Sequence, residues 1–123
     1  KLSAGNAELE SKLGLIEVKL GITKKGLARL EHAATMLPPK IEAHDRLMKA
    51  YMFVNMLPEA AAVAERLSTL AANPKAFLRA ASIRAHLRQW DQSKKLLERG
   101  LELFPDAGDL RAAYAETVSA RKE

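Results

Sequence analysis

Residues 74–105 read PKAFLRAASIRAHLRQWDQSKKLLERGLELFP, and the fold follows from this stretch. Asn73 and Pro74 read as a helix N-cap and its first helical position, where proline's missing N–H costs nothing. Phe77, Ala80, Ala81 and Leu87 then recur near the period of about 3.6 residues that lines one face of a helix. Asp91 reads as the cap of a second helix, whose apolar face is Leu96, Leu97, Gly100, Leu101 and Phe104, and Pro105 closes it. A link of a few residues forces two such helices to lie antiparallel. Gly100 is the informative position. Inside a helical stripe glycine costs ~1 kcal/mol relative to alanine. Its use there implies a close helix contact, where a bulky group would cost ~1 to 3 kcal/mol by overpacking.

Working outward, the same grammar recurs. Leu9, Leu13, Ile16 and Leu20 form the apolar stripe of a first helix, which stops at Gly21. Thr23 reads as the N-cap of a second, with Leu27, Leu30, Ala33, Ala34 and Leu37 as its stripe and Pro38 and Pro39 as its end. Leu47, Met48, Tyr51 and Val54 mark a third. Pro58 suits the first turn of a fourth, striped by Val63, Ala64, Leu67 and Leu70. Beyond Pro105, Asp106 reads as the cap of a seventh helix, with Asp109 near its positive end and Leu110, Tyr114 and Val118 on its apolar face. Helices of about four turns are not stable alone in water, so each needs a neighbour to cover its stripe.

The composition agrees with a helical protein of one domain, residues 1–123. Of the 123 residues, 48 % are apolar and 28 % charged, with few glycines, prolines and aromatics, a soluble globular balance. No apolar run approaches the ~18 residues needed to cross a bilayer, and no signal-peptide pattern opens the chain. Without cysteine there are no disulfides, thiolate nucleophiles or cysteine-based zinc sites. Beginning at Lys1 without methionine, the chain reads as a piece of something longer. Its compartment is then unreadable, with the cytoplasm as the default expectation. The formal charge of +5 is concentrated: Lys75, Arg79, Arg84, Arg88, Lys94, Lys95 and Arg99 face only Asp91 and Glu98.

Aligning the helix pairs exposes an internal repeat. Leu13-Gly14, Gly26, Leu30, Ala33 and Pro38 recur in character as Leu47-Met48, Ala60, Ala64, Leu67 and Ala72, then as Ala80-Ala81, Ser93, Leu97, Gly100 and Pro105. Tyr114-Ala115 repeats the opening half. This pattern resembles the tetratricopeptide repeat (TPR), a pair of antiparallel helices of about 34 residues. The resemblance implies an all-α fold, a right-handed superhelical solenoid of three helical hairpins and a C-terminal capping helix, seven helices in all. The hairpins fall at 7–40, 41–73 and 74–107, with the cap helix at 108–123. Glu10, His44 and Phe77 stand at the family's first-helix aromatic position, so only the third repeat keeps it, and the family's tyrosine survives only as Tyr51.

Nothing in the sequence carries catalysis. His32, His44 and His86 lie on different helices without the paired spacing of a helix-borne metal site. No Gly-rich phosphate loop or Gly-x-Ser-x-Gly elbow is present. Scattered acids such as Glu8, Glu10 and Glu17 read as solvated helix faces. The expectation is a non-enzymatic protein with no metal and no cofactor. The resemblance implies a scaffold that binds a peptide or partner protein on the concave wall lined by the first helix of each repeat. By position that wall holds Leu15, Val18 and Lys19, then Lys49, Met52 and Phe53, then Lys75, Leu78, Arg79, Ser82 and His86. Around them would stand Glu8 and Ser11, Glu42 and Asp45, and Asp109 and Glu116 of the cap helix. Leu15, Val18, Met52, Phe53 and Leu78 lie off the main stripes and together could form an exposed patch, or pack locally or against a missing domain.

Some family members grip the terminal carboxylate of chaperone tails with Lys and Asn side chains from successive repeats and a final Lys-Arg pair. Lys75 and Arg79 have the spacing of that pair, but Ser11, Leu15 and Arg46 stand where its earlier partners would. An acidic segment near Lys75, Arg79 and His86 remains a reasonable ligand. Nucleic acid is a weaker reading, since aromatics are few and Arg84, Arg88, Lys94 and Lys95 point around the helices rather than along one stripe. A structural or regulatory appendage of a larger enzyme or secretion component is the alternative to a free-standing scaffold. A homo-oligomer through a solenoid end that lacks a polar cap is also open.

Overall fold

The computed structural model describes residues 4–122. Among the described residues seven α-helices follow one another: α1 Ala4–Lys19, α2 Thr23–Thr35, α3 Ile41–Phe53, α4 Leu57–Leu70, α5 Pro74–His86, α6 Trp90–Leu103 and α7 Gly108–Lys122. Among the described residues there is no strand. The chain divides into two compact units, one up to Val63 and one from Ala64.

In the first unit α1, α2 and α3 pack on one another. Glycine decides how. A methyl group built on Gly14 would lie 2.8 Å from the Gly26 carbonyl oxygen, and one on Gly26 would lie 2.7 Å from both the Gly14 carbonyl oxygen and Val18 Cγ2. The two backbones therefore touch, and the inner face of α1 is Ala7, Ser11, Gly14 and Val18, all buried, with Gly14 and Val18 against α2. This overturns the expectation that Leu9, Leu13, Ile16 and Leu20 form the core stripe. They are 58 %, 42 %, 54 % and 72 % exposed, because leucine-sized groups cannot enter a contact that leaves no room for a methyl. Across the α1–α2 edge Arg29 Nε donates to Glu17 Oε1 at 3.0 Å, and His32 Nδ1 lies 2.8 Å from Glu10 Oε1. Tyr51 of α3 donates its hydroxyl proton to Glu31 of α2.

The second unit is built the same way. α6 packs against α5 and α7, and Gly100 is the crossing point: a methyl there would meet Leu110 Cδ1 at 2.9 Å and Phe77 Cβ and Cγ at 3.0 Å. Ser93 Oγ donates to the Ala81 carbonyl at 2.9 Å, which fastens α6 to α5 without an orphaned hydroxyl. Arg84 of α5 reaches Glu65 of α4 through Nε at 2.6 Å.

The aligned small and large positions behave alike in burial. Gly26, Ala60 and Ser93 are buried, as are Leu30, Ala64 and Leu97, and Ala33, Leu67 and Gly100. The exceptions are Leu13, exposed where Leu47 and Ala80 are buried, and Ala115, exposed where Gly14, Met48 and Ala81 are buried.

Helix ends follow the expectations in part. Asn73 caps α5, its side chain accepting from the Ala76 amide at 2.9 Å with Pro74 directly behind. Pro58 sits in the first turn of α4. Thr23 does not cap α2 but is its first residue, after Ile22. Likewise Gln89 precedes α6, and Asp91 acts from inside the first turn, where its charge favours the helix dipole. α7 begins two residues past Asp106. α2 ends at Thr35, so Leu37 falls outside the helix and is exposed.

Candidate partner-binding faces

In the first unit, α1 and α3 carry the expected positions. Lys19, Lys49, Met52 and Phe53 are exposed, and Leu15 is half-buried. Met52 and Phe53 are 43 % and 58 % exposed at the end of α3, large apolar groups that a partner could cover. Lys49 Nζ lies 3.0 Å from Asp45 Oδ2, one turn back on the same face. Val18 does not belong to this surface. It is 1 % exposed, its methyl wedged where α1 meets Gly26, and no partner can reach it. Ser11 is also removed, since its buried hydroxyl donates to the Glu8 carbonyl at 2.9 Å and accepts from Arg46 Nη1 at 2.9 Å. Glu8 remains exposed and pairs with Lys12 at 3.2 Å.

In the second unit, α5 presents Lys75, Arg79, Ser82 and His86, all exposed, at intervals of four, three and four. That spacing puts them on one side of the helix. Leu78 beside them is half-buried. The stripe holds two fixed cations, a hydroxyl and an imidazole, and no carboxylate, which suits an acidic ligand. Arg84 is withdrawn from the basic stretch by Glu65 and by Gln89 Oε1, 2.8 Å from its Nη1. Asp109 and Glu116 are exposed on α7. Among the described residues no group of three His, Asp or Glu side chains could hold a metal ion.

Sequence reasoning missed the charged edge between α1 and α2. It borders a cleft of about 290 Å³ lined by Asn6, Leu9, Glu10, Leu13, Arg29, His32 and Met36. The hydrogen bond from Arg29, seconded by its charge and that of Lys25, holds the Glu17 carboxyl below the ordinary glutamate range, and the same bond raises Arg29. In α7, burial and a hydrogen bond to Glu98 push the Tyr114 hydroxyl up. Because the Glu17 value is lowered on folding, its stabilisation is present above the unfolded value of about 4.3 and is lost as pH falls through the folded value below that. In Arg29→Gln, acid unfolding should lose part of its steepness below about pH 4.3 while melting at neutral pH changes little, as expected for a half-buried pair at a helix edge that solvent still screens. Circular dichroism at stepped pH checks this, and an acid limb identical to the parent would refute it.

No protein-family model matches this chain, and no curated protein matches it. Solved structures do. The chain is similar to MamA (AMB-1), with a TM-score of 0.70 at 20 % identity over 94 % of this chain and 64 % of that one. It thus spans a little under two thirds of MamA's length. It is similar to the first TPR of Spaghetti (RPAP3) bound to the HSP90 peptide SRMEEVD, with a TM-score of 0.70 at 19 % identity over 99 % of this chain and 98 % of that one. A tetratricopeptide repeat protein from Parabacteroides merdae gives 0.71 at 16 % identity over 95 % and 46 %. Small residues at fixed helix crossings, two units of antiparallel helices and these likenesses agree: the chain has the tetratricopeptide-repeat fold.

Proposed function

We propose that this protein is a non-catalytic interaction scaffold that holds a peptide or an extended segment of a partner protein. The observation that carries the reading is the α5 stripe of Lys75, Arg79, Ser82 and His86, exposed along one side of the helix without an acidic residue among them. The likeness to an RPAP3 domain bound to an acidic peptide supports it. On this reading the stripe takes the carboxylates of the ligand, with Leu78 as an apolar neighbour. Leu15, Lys19, Lys49, Met52 and Phe53 in the first unit form a face of mixed character, where the two large apolar side chains of α3 supply the area and the lysines the charge preference. The hairpins at 7–40, 41–73 and 74–107 and the cap helix at 108–123 are the proposed repeat units.

A fluorescent acidic peptide titrated against the protein tests this. Lys75→Glu with Arg79→Glu should weaken binding at least ~10-fold, since each reversal replaces attraction by repulsion at a ligand contact. Phe53→Ala should weaken the binding of a peptide with apolar residues several-fold yet cost under ~1 kcal/mol of stability, far below the ~3 to 5 of a core phenylalanine. Binding indifferent to the double reversal would remove α5 from the site. Retention of RNA on a filter in its place would move the stripe to nucleic acid.

A further inference from the structure

The outward side of α1 carries Leu9, Leu13, Ile16 and Leu20 in solvent. Their counterparts one repeat later are Ala43, Leu47 and Ala50, all buried, and Val54, half-buried. The α1 stripe therefore has the composition of a covered face. Its intervals of four, three and four are those of the alternating core positions of a heptad. The flanks are sorted by sign: Glu10 and Glu17, which also meet His32 and Arg29 of α2, follow the core positions on one edge, while Lys12, which also meets Glu8, and Lys19 precede them on the other.

We propose that this stripe is the contact face of a parallel homodimer, α1 against α1 of a second copy. Charge selects both the occupant and the direction. A twofold axis along the helix sets the glutamate edge of each copy against the lysine edge of the other, with Lys12 reaching toward Glu17 across the pair. A twofold axis perpendicular to the helix would set glutamate on glutamate and lysine on lysine. The opposite side of α1 is already committed to α2 through Gly14, so only the outward stripe is open to a copy. α7 offers it no mate, since its exposed positions among the described residues are Gly108, Asp109, Arg111, Ala112, Ala115, Glu116 and Ser119. An isologous contact puts the apolar stripe on itself and closes at two subunits.

Light scattering across micromolar to millimolar protein tests the dimer, and site-directed cross-linking tests its direction. The parent should show a concentration-dependent dimer, and Ile16→Glu should raise its dissociation constant at least ~100-fold by forcing carboxylates into the seam. Ile16 is 54 % exposed, so this variant should keep its helicity. The chain has no cysteine, which allows single cysteines to report alone. Leu13→Cys should cross-link to itself on oxidation, because an in-register parallel pair brings the two α-carbons within the ~4.4 to 6.8 Å a disulfide requires. A mixture of Leu9→Cys and Leu20→Cys should give self-linked products over the mixed one. A monomer at every concentration, a dimer untouched by Ile16→Glu, or preferential coupling of position 9 to position 20 would each overturn the proposal. The monomer outcome would leave the stripe to some helix other than α1 of a second copy. Peptide binding is tested through substitutions on α3 and α5, away from this stripe, so the two ideas fail independently.

Discussion

Gly14→Ala should destabilise the protein by about 2 kcal/mol, the reverse of what helix propensity alone predicts. Alanine inside a helix is worth ~1 kcal/mol over glycine, and a sequence reading without the packing would forecast a gain. The added methyl, however, would sit 2.8 Å from the Gly26 carbonyl oxygen and 2.8 Å from Leu30 Cγ. The first of these is backbone and cannot rotate away. α1 would have to lift off α2, thinning the contacts around Val18 and Leu30, both essentially fully buried. Overpacking of this kind costs ~1 to 3 kcal/mol, occasionally more, and here it outweighs the propensity gain. Thermal unfolding should shift down by roughly 10 °C for a chain of this size. A melting temperature equal to or above the parent's would mean that α1 and α2 do not meet at Gly14.

Gly100→Leu should cost more, about 3 kcal/mol or above, because four added carbons have nowhere to go. The first of them already meets Leu110 Cδ1 at 2.9 Å and the Phe77 ring base at 3.0 Å, and Leu110 and Phe77 are themselves buried. Gly100→Ala separates size from conformation. Its methyl faces one flexible leucine tip and a phenylalanine at the limit of contact, and the ~1 kcal/mol of helix propensity works the other way, so this variant should melt within a few degrees of the parent. Chemical denaturation of both variants beside the parent gives the comparison. Equal stability of the leucine variant and the parent would place Gly100 in solvent and undo the helix register of the second unit.

These two glycines mark what was legible in the sequence and what was not. The residue type announced a close helix contact at each, and the contact is there. The partner could not be read. For α1 the error followed directly: apolar periodicity picks out Leu9, Leu13, Ile16 and Leu20, while the buried face is built from Ala7, Ser11, Gly14 and Val18. Hydrophobicity scales rank the leucines first, but a backbone-to-backbone contact selects for small size, and a serine whose hydroxyl is bonded to a carbonyl and to Arg46 is as good there as an alanine. The same blindness assigned Val18 to a binding face. In α2, α3, α5 and α6 large and small buried residues share one stripe, so periodicity and burial agree within the helices, Leu37 beyond the end of α2 being exposed.

Helix ends show a second limit. Asn73-Pro74 was unambiguous because both residues act through the first turn of one helix. Thr23 and Asp91 read as caps but lie one and two residues past the cap positions, Ile22 and Gln89; for Asp91 the reason is that an acid within the first turn and an acid at the cap both favour a helix start. The candidate faces divide along similar lines. The cationic side of α5 needed only helical spacing. The Glu17–Arg29 and Glu10–His32 links across α1 and α2 depend on which residues of two different helices come level.

By itself the sequence determined the number and order of the helices, the positions where they must come close, and the repeat that makes one hairpin the template for the next. Those properties are local, set by a period near 3.6 residues, by proline and glycine, and by chain links too short to do anything but reverse direction. Only the tertiary structure decided which side of α1 is inside, that Val18 and Ser11 are closed to a partner, and that four leucine-class side chains face outward. Burial belongs to a surface and its neighbour together, and the space left between Gly14 and Gly26 cannot be known until both helices are in place.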